Sequence, residues 1–120
     1  MFRKAIEELF FTQLPIIMDR VSSLKELLKD SPKDCFLLHA LGLEHQKIGA
    51  LPAAQSYFEQ VLAADPTYVG TYYHLAKLME QIGDIKQAVV IYEKGMEEAK
   101  KVSDMHAYNE LRSAWEELTF

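Results

Sequence analysis

The sequence predicts an all-α fold, a superhelix of antiparallel helix pairs, and three observations predict it. Pro66, in "AADPTY", stands 34 residues after Pro32, in "KDSPKD". Laying residues 35–68 over 69–102 pairs Leu41 with Leu75, Ile48 with Ile82, Gly49 with Gly83, Ala54 with Ala88 and Glu59 with Glu93. Within each unit, apolar residues recur at helical spacing and are interrupted once by a glycine turn. Self-similarity at a period of this length is the mark of stacked supersecondary units.

The elements follow in order. Residues 1–17 read as an amphipathic helix with Ile6, Leu9, Phe10 and Leu14 on one stripe, either packed on the next element or free to associate with another copy. Residues 18–34 read as a half-repeat cap. Leu24, Leu27 and Leu28 match Phe58, Val61 and Leu62, while Arg20 stands where a close-approach alanine is expected. The first full unit, 35–68, carries Leu38, Leu41 and His45 on its first helix, turns at Gly49, and continues with Ala54, Phe58, Val61 and Leu62. Pro52 is tolerated in a first turn because its missing N–H has no partner there. The second unit, 69–102, repeats the plan with Tyr72, Leu75 and Met79, a Gly83-Asp84 turn with Asp84 as N-cap, then Ala88, Tyr92, Gly95 and Met96. Residues 103–120 form a last helix with Tyr108, Leu111, Trp115 and Leu118 on one stripe. Its positions facing a further unit read His106, Asn109, Glu110 and Ser113, the polar character of a solvating cap.

Small residues at Gly42/Ala76 and Ala54/Ala88 let helix axes approach, and Leu38/Tyr72, Leu41/Leu75 and Phe58/Tyr92 fill the space beside them. This order of large and small residues at a period of 34 resembles the tetratricopeptide repeat. The family pattern W-x2-L-G-x2-Y, A-x3-F, A, P corresponds to Leu38, Leu41, Gly42, His45, Ala54, Phe58, Val61 and Pro66. In the second copy it corresponds to Tyr72, Leu75, Ala76, Met79, Ala88, Tyr92, Gly95 and Lys100. His45 for Tyr and Lys100 for Pro depart from it.

Composition excludes several function classes. Thirteen basic against eighteen acidic side chains give a net charge of −5, which disfavours nucleic acid and anionic membrane surfaces. The single Cys35 forms no intrachain disulfide and reads as a small apolar filler. The N-terminal stretch lacks a cleavage-site pattern and carries Glu7 and Glu8 inside its apolar part, and no apolar run reaches membrane-spanning length. A cytoplasmic protein is expected.

No phosphate loop, nucleophile elbow, HExxH or Cys/His metal spacing occurs, so neither an enzyme, a cofactor nor a metal site is expected. His39 and His74 are placed to approach each other across adjacent first helices, which keeps a two-histidine metal or ligand site as a remote alternative. The resemblance implies a protein–protein interaction module, an adaptor or scaffold, whose concave groove is lined by first helices. Its lining would be Phe36, His39, Leu43 and Lys47, then Gly70, Tyr73, His74, Lys77 and Gln81, with Asp104, Tyr108 and Leu111 from the last helix. Aromatic anchors with a few donors suit a binding surface, and Lys47 and Lys77 would offer charge to an acidic peptide. Gly70 either lets a ligand backbone approach or merely starts a helix. Family members that clamp a chaperone's C-terminal carboxylate use Lys, Arg and Asn where this chain has His39, Leu43, His74, Asp104 and Tyr108, so chaperone tails are not the expected partner. Homo-oligomeric self-assembly is the alternative function.

Overall fold

The computed structural model describes residues 2–119, with side chains from Leu14 to Thr119. Six helices account for nearly all of them: α1 (Phe2–Asp30), α2 (Cys35–Lys47), α3 (Leu51–Ala64), α4 (Gly70–Gln81), α5 (Ile85–Lys101) and α6 (Met105–Thr119). The described residues contain no strand.

Three of the turns are built by one repeated device. After α2, α4 and α5 the chain enters the left-handed region at Gly49 (φ 77°), Gly83 (φ 87°) and Ser103 (φ 59°). The next N–H then reaches back five residues: Ala50 N to His45 O (2.9 Å), Asp84 N to Met79 O (2.8 Å) and Asp104 N to Ala99 O (2.9 Å). These bonds satisfy carbonyls that a helix end leaves without partners. The starts of α2, α5 and α6 are fixed by aspartates. Asp34 accepts from Leu37 N (3.1 Å), Asp84 from Gln87 N (3.1 Å) and Asp104 from Ala107 N (3.0 Å), each satisfying an otherwise orphaned donor.

Consecutive helices pack antiparallel, and α2, α4 and α6 also touch one another in turn. Among the described residues α1, α3 and α5 make no such mutual contacts. The first helices of the units therefore form an inner layer, and the second helices splay on the outside. This gives the array its curvature.

The main core joins Ala54, Phe58, Tyr72, Leu75, Ala76, Leu78, Met79, Ala88, Tyr92, Leu111 and neighbours. A smaller cluster ties Ile17, Val21 and Leu41 together with Leu24, Leu28, Ile48 and Tyr57. Close approach is tightest at two glycines. A Cβ on Gly42 would lie 2.4 Å from the Phe58 ring, and one on Gly95 would lie 2.6 Å from Tyr72 Cβ. The small residue that admits its neighbour thus sits on the first helix of one unit and on the second helix of the next.

Two expectations concern α1. The boundary expected between residues 17 and 18 falls inside the uninterrupted helix α1, with Pro15 within it. The side chains of Ile6, Leu9 and Phe10 lie outside the described residues, and Leu14 is partly buried.

Candidate functional site

The site is assembled where α2, α4 and α6 stand side by side. His39 on α2 and His74 on α4 meet with ring centroids 5.3 Å apart. His74 stacks on Phe58 at 6.2 Å and 23°, and Tyr73 meets it edge-on at 5.7 Å. His39 is fixed by a 2.8 Å hydrogen bond between its Nδ1 and the buried Thr71 hydroxyl. Burial, with a smaller push from His74, lowers the His39 pKa to about 4. Burial also lowers that of His74, against a weaker upward pull from Glu110. Both imidazoles are neutral at pH 7, so this part of the groove presents aromatic faces rather than positive charge. Among the described residues no group of three or more His, Cys, Asp or Glu could hold a metal ion.

The two groove lysines are engaged within the chain. Lys47 pairs with Glu44 at 3.2 Å. Lys77 pairs with Glu80 at 3.4 Å and lies 5.6 Å from the Tyr73 ring centroid. The Tyr92 hydroxyl donates to the same Glu80 carboxylate, and burial pushes the Tyr92 phenol far above its usual range. The expectation that these lysines offer charge to an acidic peptide is therefore weakened by their i,i+3 partners, Glu44 and Glu80.

Beside Tyr73 and Lys77 an open cleft of about 270 Å³ continues onto α6, lined there by Glu110, Ser113, Ala114 and Glu117. Sequence reasoning did not place Glu110, Ser113 and Glu117 in the groove. Their i, i+3, i+7 spacing on the last helix was the available signal. The other candidates are distributed as follows. Leu43 is partly buried and packs on the main core. Gln81 is exposed. Gly70 opens α4, with nothing within 4 Å of an added Cβ, so nothing in the chain crowds it. Tyr108 is partly buried, under Lys100 at 5.1 Å. Asp104 is spent on capping α6. Leu111 is 1% exposed and contacts the Gly95 position, so it belongs to the core and not to the groove. Phe36 is 68% exposed, but it lines a different groove, between α1 and α2.

Comparison with known proteins agrees with this architecture. A sequence model described as tetratricopeptide repeat matches residues 49–114, more than half of the chain. A tetratricopeptide repeat domain protein from Salinibacter ruber, solved by NMR, is 36% identical, with TM-score 0.70, covering 73% of this chain and 89% of its own. The TPR2B domain of yeast Sti1, solved in complex with pHsp70, superimposes with TM-score 0.80 at 16% identity, covering 93% of this chain and 89% of its own. PcrH, solved in complex with the chaperone-binding region of PopD, gives 0.79 at 18% identity, covering 98% and 92%. At such identities the last two show a common fold. An uncharacterized protein of Pyropia yezoensis, ycf37, is 34% identical over 58 residues, 48% of this chain, and the match spans only 33% of that protein. The periodicity, the inner layer of first helices and these matches converge: the chain belongs to the tetratricopeptide repeat family.

Proposed function

We propose that the chain is a protein–protein interaction module, a cytoplasmic adaptor or scaffold and not an enzyme, which holds a segment of its partner along the inner layer of α2, α4 and α6. The observation that carries this reading is the continuous aromatic row of His39, His74 and Tyr73, which opens directly into the α4–α6 cleft. Rigid aromatic surface beside a few polar groups is what a peptide anchor needs. That PcrH and the Sti1 domain were each solved with a partner segment supports the same use of the fold here.

The residues to which the site is assigned are His39, Leu43, Lys47, Gly70, Tyr73, His74, Lys77, Gln81 and Tyr108, joined by Glu110 and Glu117, while Phe36 is set apart on the α1–α2 groove. Neutral imidazoles, paired lysines and two carboxylates favour a peptide that brings an apolar or aromatic side chain and a positive charge. A chaperone's C-terminal carboxylate finds no free cation among His39, Leu43, His74, Asp104 and Tyr108, and is not the preferred ligand.

Random peptides displayed on phage and selected on the protein supply a probe. Tyr73→Ala with His74→Ala is expected to weaken the selected peptides by tenfold or more, measured well below the melting temperature because His74 also stacks on Phe58. Undiminished affinity of the folded double variant would put the site elsewhere.

A further inference from the structure

The α1–α2 groove, about 560 Å³ in volume, lies at the opposite end of the array from α6. Its walls include Ile16, 55% exposed, Phe36, 68% exposed, Leu24 and Ala40. At its base Glu44 is 8% exposed. One carboxylate oxygen, Oε1, takes both Arg20 (3.6 Å) and Lys47 (3.2 Å). The other, Oε2, is buried with no hydrogen-bond partner. A buried carboxylate oxygen ordinarily has a donor, so an apolar groove with an unanswered acceptor asks for a helix that brings one.

The repeat indicates which helix. In the first unit α2 lies against α3 and α4, with His39 beside His74 and Thr71. Moved back by 34 residues, α4 becomes α2, α3 becomes the second half of α1, and the place of α2 falls to residues 1–13. The His39–His74 contact then becomes Ala5 against Ala40. The separation that joins His39 to Thr71 joins Thr12 to Glu44, and the one that joins His39 to His74 joins Leu9 to Glu44. Thr12 has a hydroxyl donor, and Gln13 beside it an amide donor. Ile6, Leu9 and Phe10 supply an apolar stripe in the same stretch.

Yet α1 runs unbroken from Phe2 to Asp30, and a continuous helix cannot lie alongside itself. Residues 2–13 are thus carried away from the groove of their own copy. We propose that they fill the groove of a second copy. In this reciprocal exchange two α1 helices run antiparallel about a two-fold axis near Pro15 and Ile16, and each completes the first hairpin of the other. Exchange of an identical element is a low-cost route to a closed dimer. It covers Phe36 and Ile16 and brings the Thr12 hydroxyl to Oε2 of the other copy's Glu44. The exchange rests on the α1–α2 groove, whereas the peptide site rests on the aromatic row of His39, His74 and Tyr73; only Lys47, which pairs with Glu44, borders both.

The test uses the full chain. Light scattering is expected to give twice the 13.8 kDa chain mass, and Phe36→Asp is expected to give the single mass with unchanged helicity. Ala5→Cys with Ala40→Cys, in a Cys35→Ser background, is expected to form an interchain disulfide on mild oxidation. A monomer at high protein concentration, a Phe36→Asp dimer, or an intrachain disulfide in the double-cysteine variant, which would mean a helix folded back at Pro15, would each overturn the exchange.

Discussion

The two ends of the array are finished in opposite ways. At the C-terminal end α6 turns Leu111 and Ala114 into the core and presents His106, Asn109, Glu110 and Ser113 to solvent. At the N-terminal end Ile16, Met18, Leu27 and Phe36 are exposed, each at 50% or more, and one oxygen of a buried carboxylate lacks a donor. A repeat unit covers its apolar face only by stacking on a neighbour, so an end needs either a polar helix or a partner. One end has the first. The other is built for the second.

Substitutions can break or sharpen this contrast. Leu111→Ala should cost about 2–5 kcal/mol, because it opens a cavity in the closed end; chemical denaturation measures it, and a cost no larger than that of an exposed residue would mean that α6 is not a closure. Next, Ala54→Leu should cost about 1–3 kcal/mol by overpacking between the two ends, since Ala54 has no exposed surface. Gly42→Ala should fall in the same range of about 1–3 kcal/mol, with the Phe58 clash outweighing the helix propensity that alanine gains. Neutral results would displace the helix register. By contrast, Phe36→Ala at the open end should change stability by no more than about 0.5 kcal/mol in dilute protein, as exposed side chains do. It should matter only at concentrations where copies associate, and a large effect in dilution would contradict the open groove.

The pH dependence distinguishes the inner layer from both ends. His39 titrates near 4 in the folded chain and near 6.5 when unfolded. Between these values the unfolded chain binds the extra proton, so stability from this group is complete above about 6.5 and declines as pH falls toward about 4. His39→Gln should flatten the melting temperature across that window. An unchanged slope would show that another group controls it. A gain is expected at the turn before α6. Ser103→Gly removes a left-handed non-glycine residue and should stabilise by up to about 1 kcal/mol. A loss there would mean that the serine has a role the turn geometry does not reveal.

Much of this fold was legible in the sequence because its punctuation is chemical. Gly49 and Gly83 mark turns that require positive φ, and Asp84 supplies a cap that only a few residue types can make. The approach of His39 to His74 was legible too, since a fixed period brings equivalent faces of first helices together. What the period alone did not decide was the fate of individual residues near the ends. Leu111 was placed in the groove by register, but packing against Gly95 decides where a leucine points. The boundary before residue 18 was drawn from repeat alignment, whereas α1 continues through Pro15 against the local preference of proline, which breaks helices. The lysine pairing was readable from i,i+3 spacing at Glu44/Lys47 and Lys77/Glu80. The near-complete burial of Glu44 was not, because a charge at that position reads as surface until the neighbouring helix is in place.

The face between the two ends carries the proposed function, and amide chemical-shift mapping with a display-selected peptide tests it most directly. The account predicts perturbations concentrated on α2, α4 and α6, around His39, Tyr73, His74 and Glu110. Perturbations confined to the outer helices α3 and α5 would contradict it.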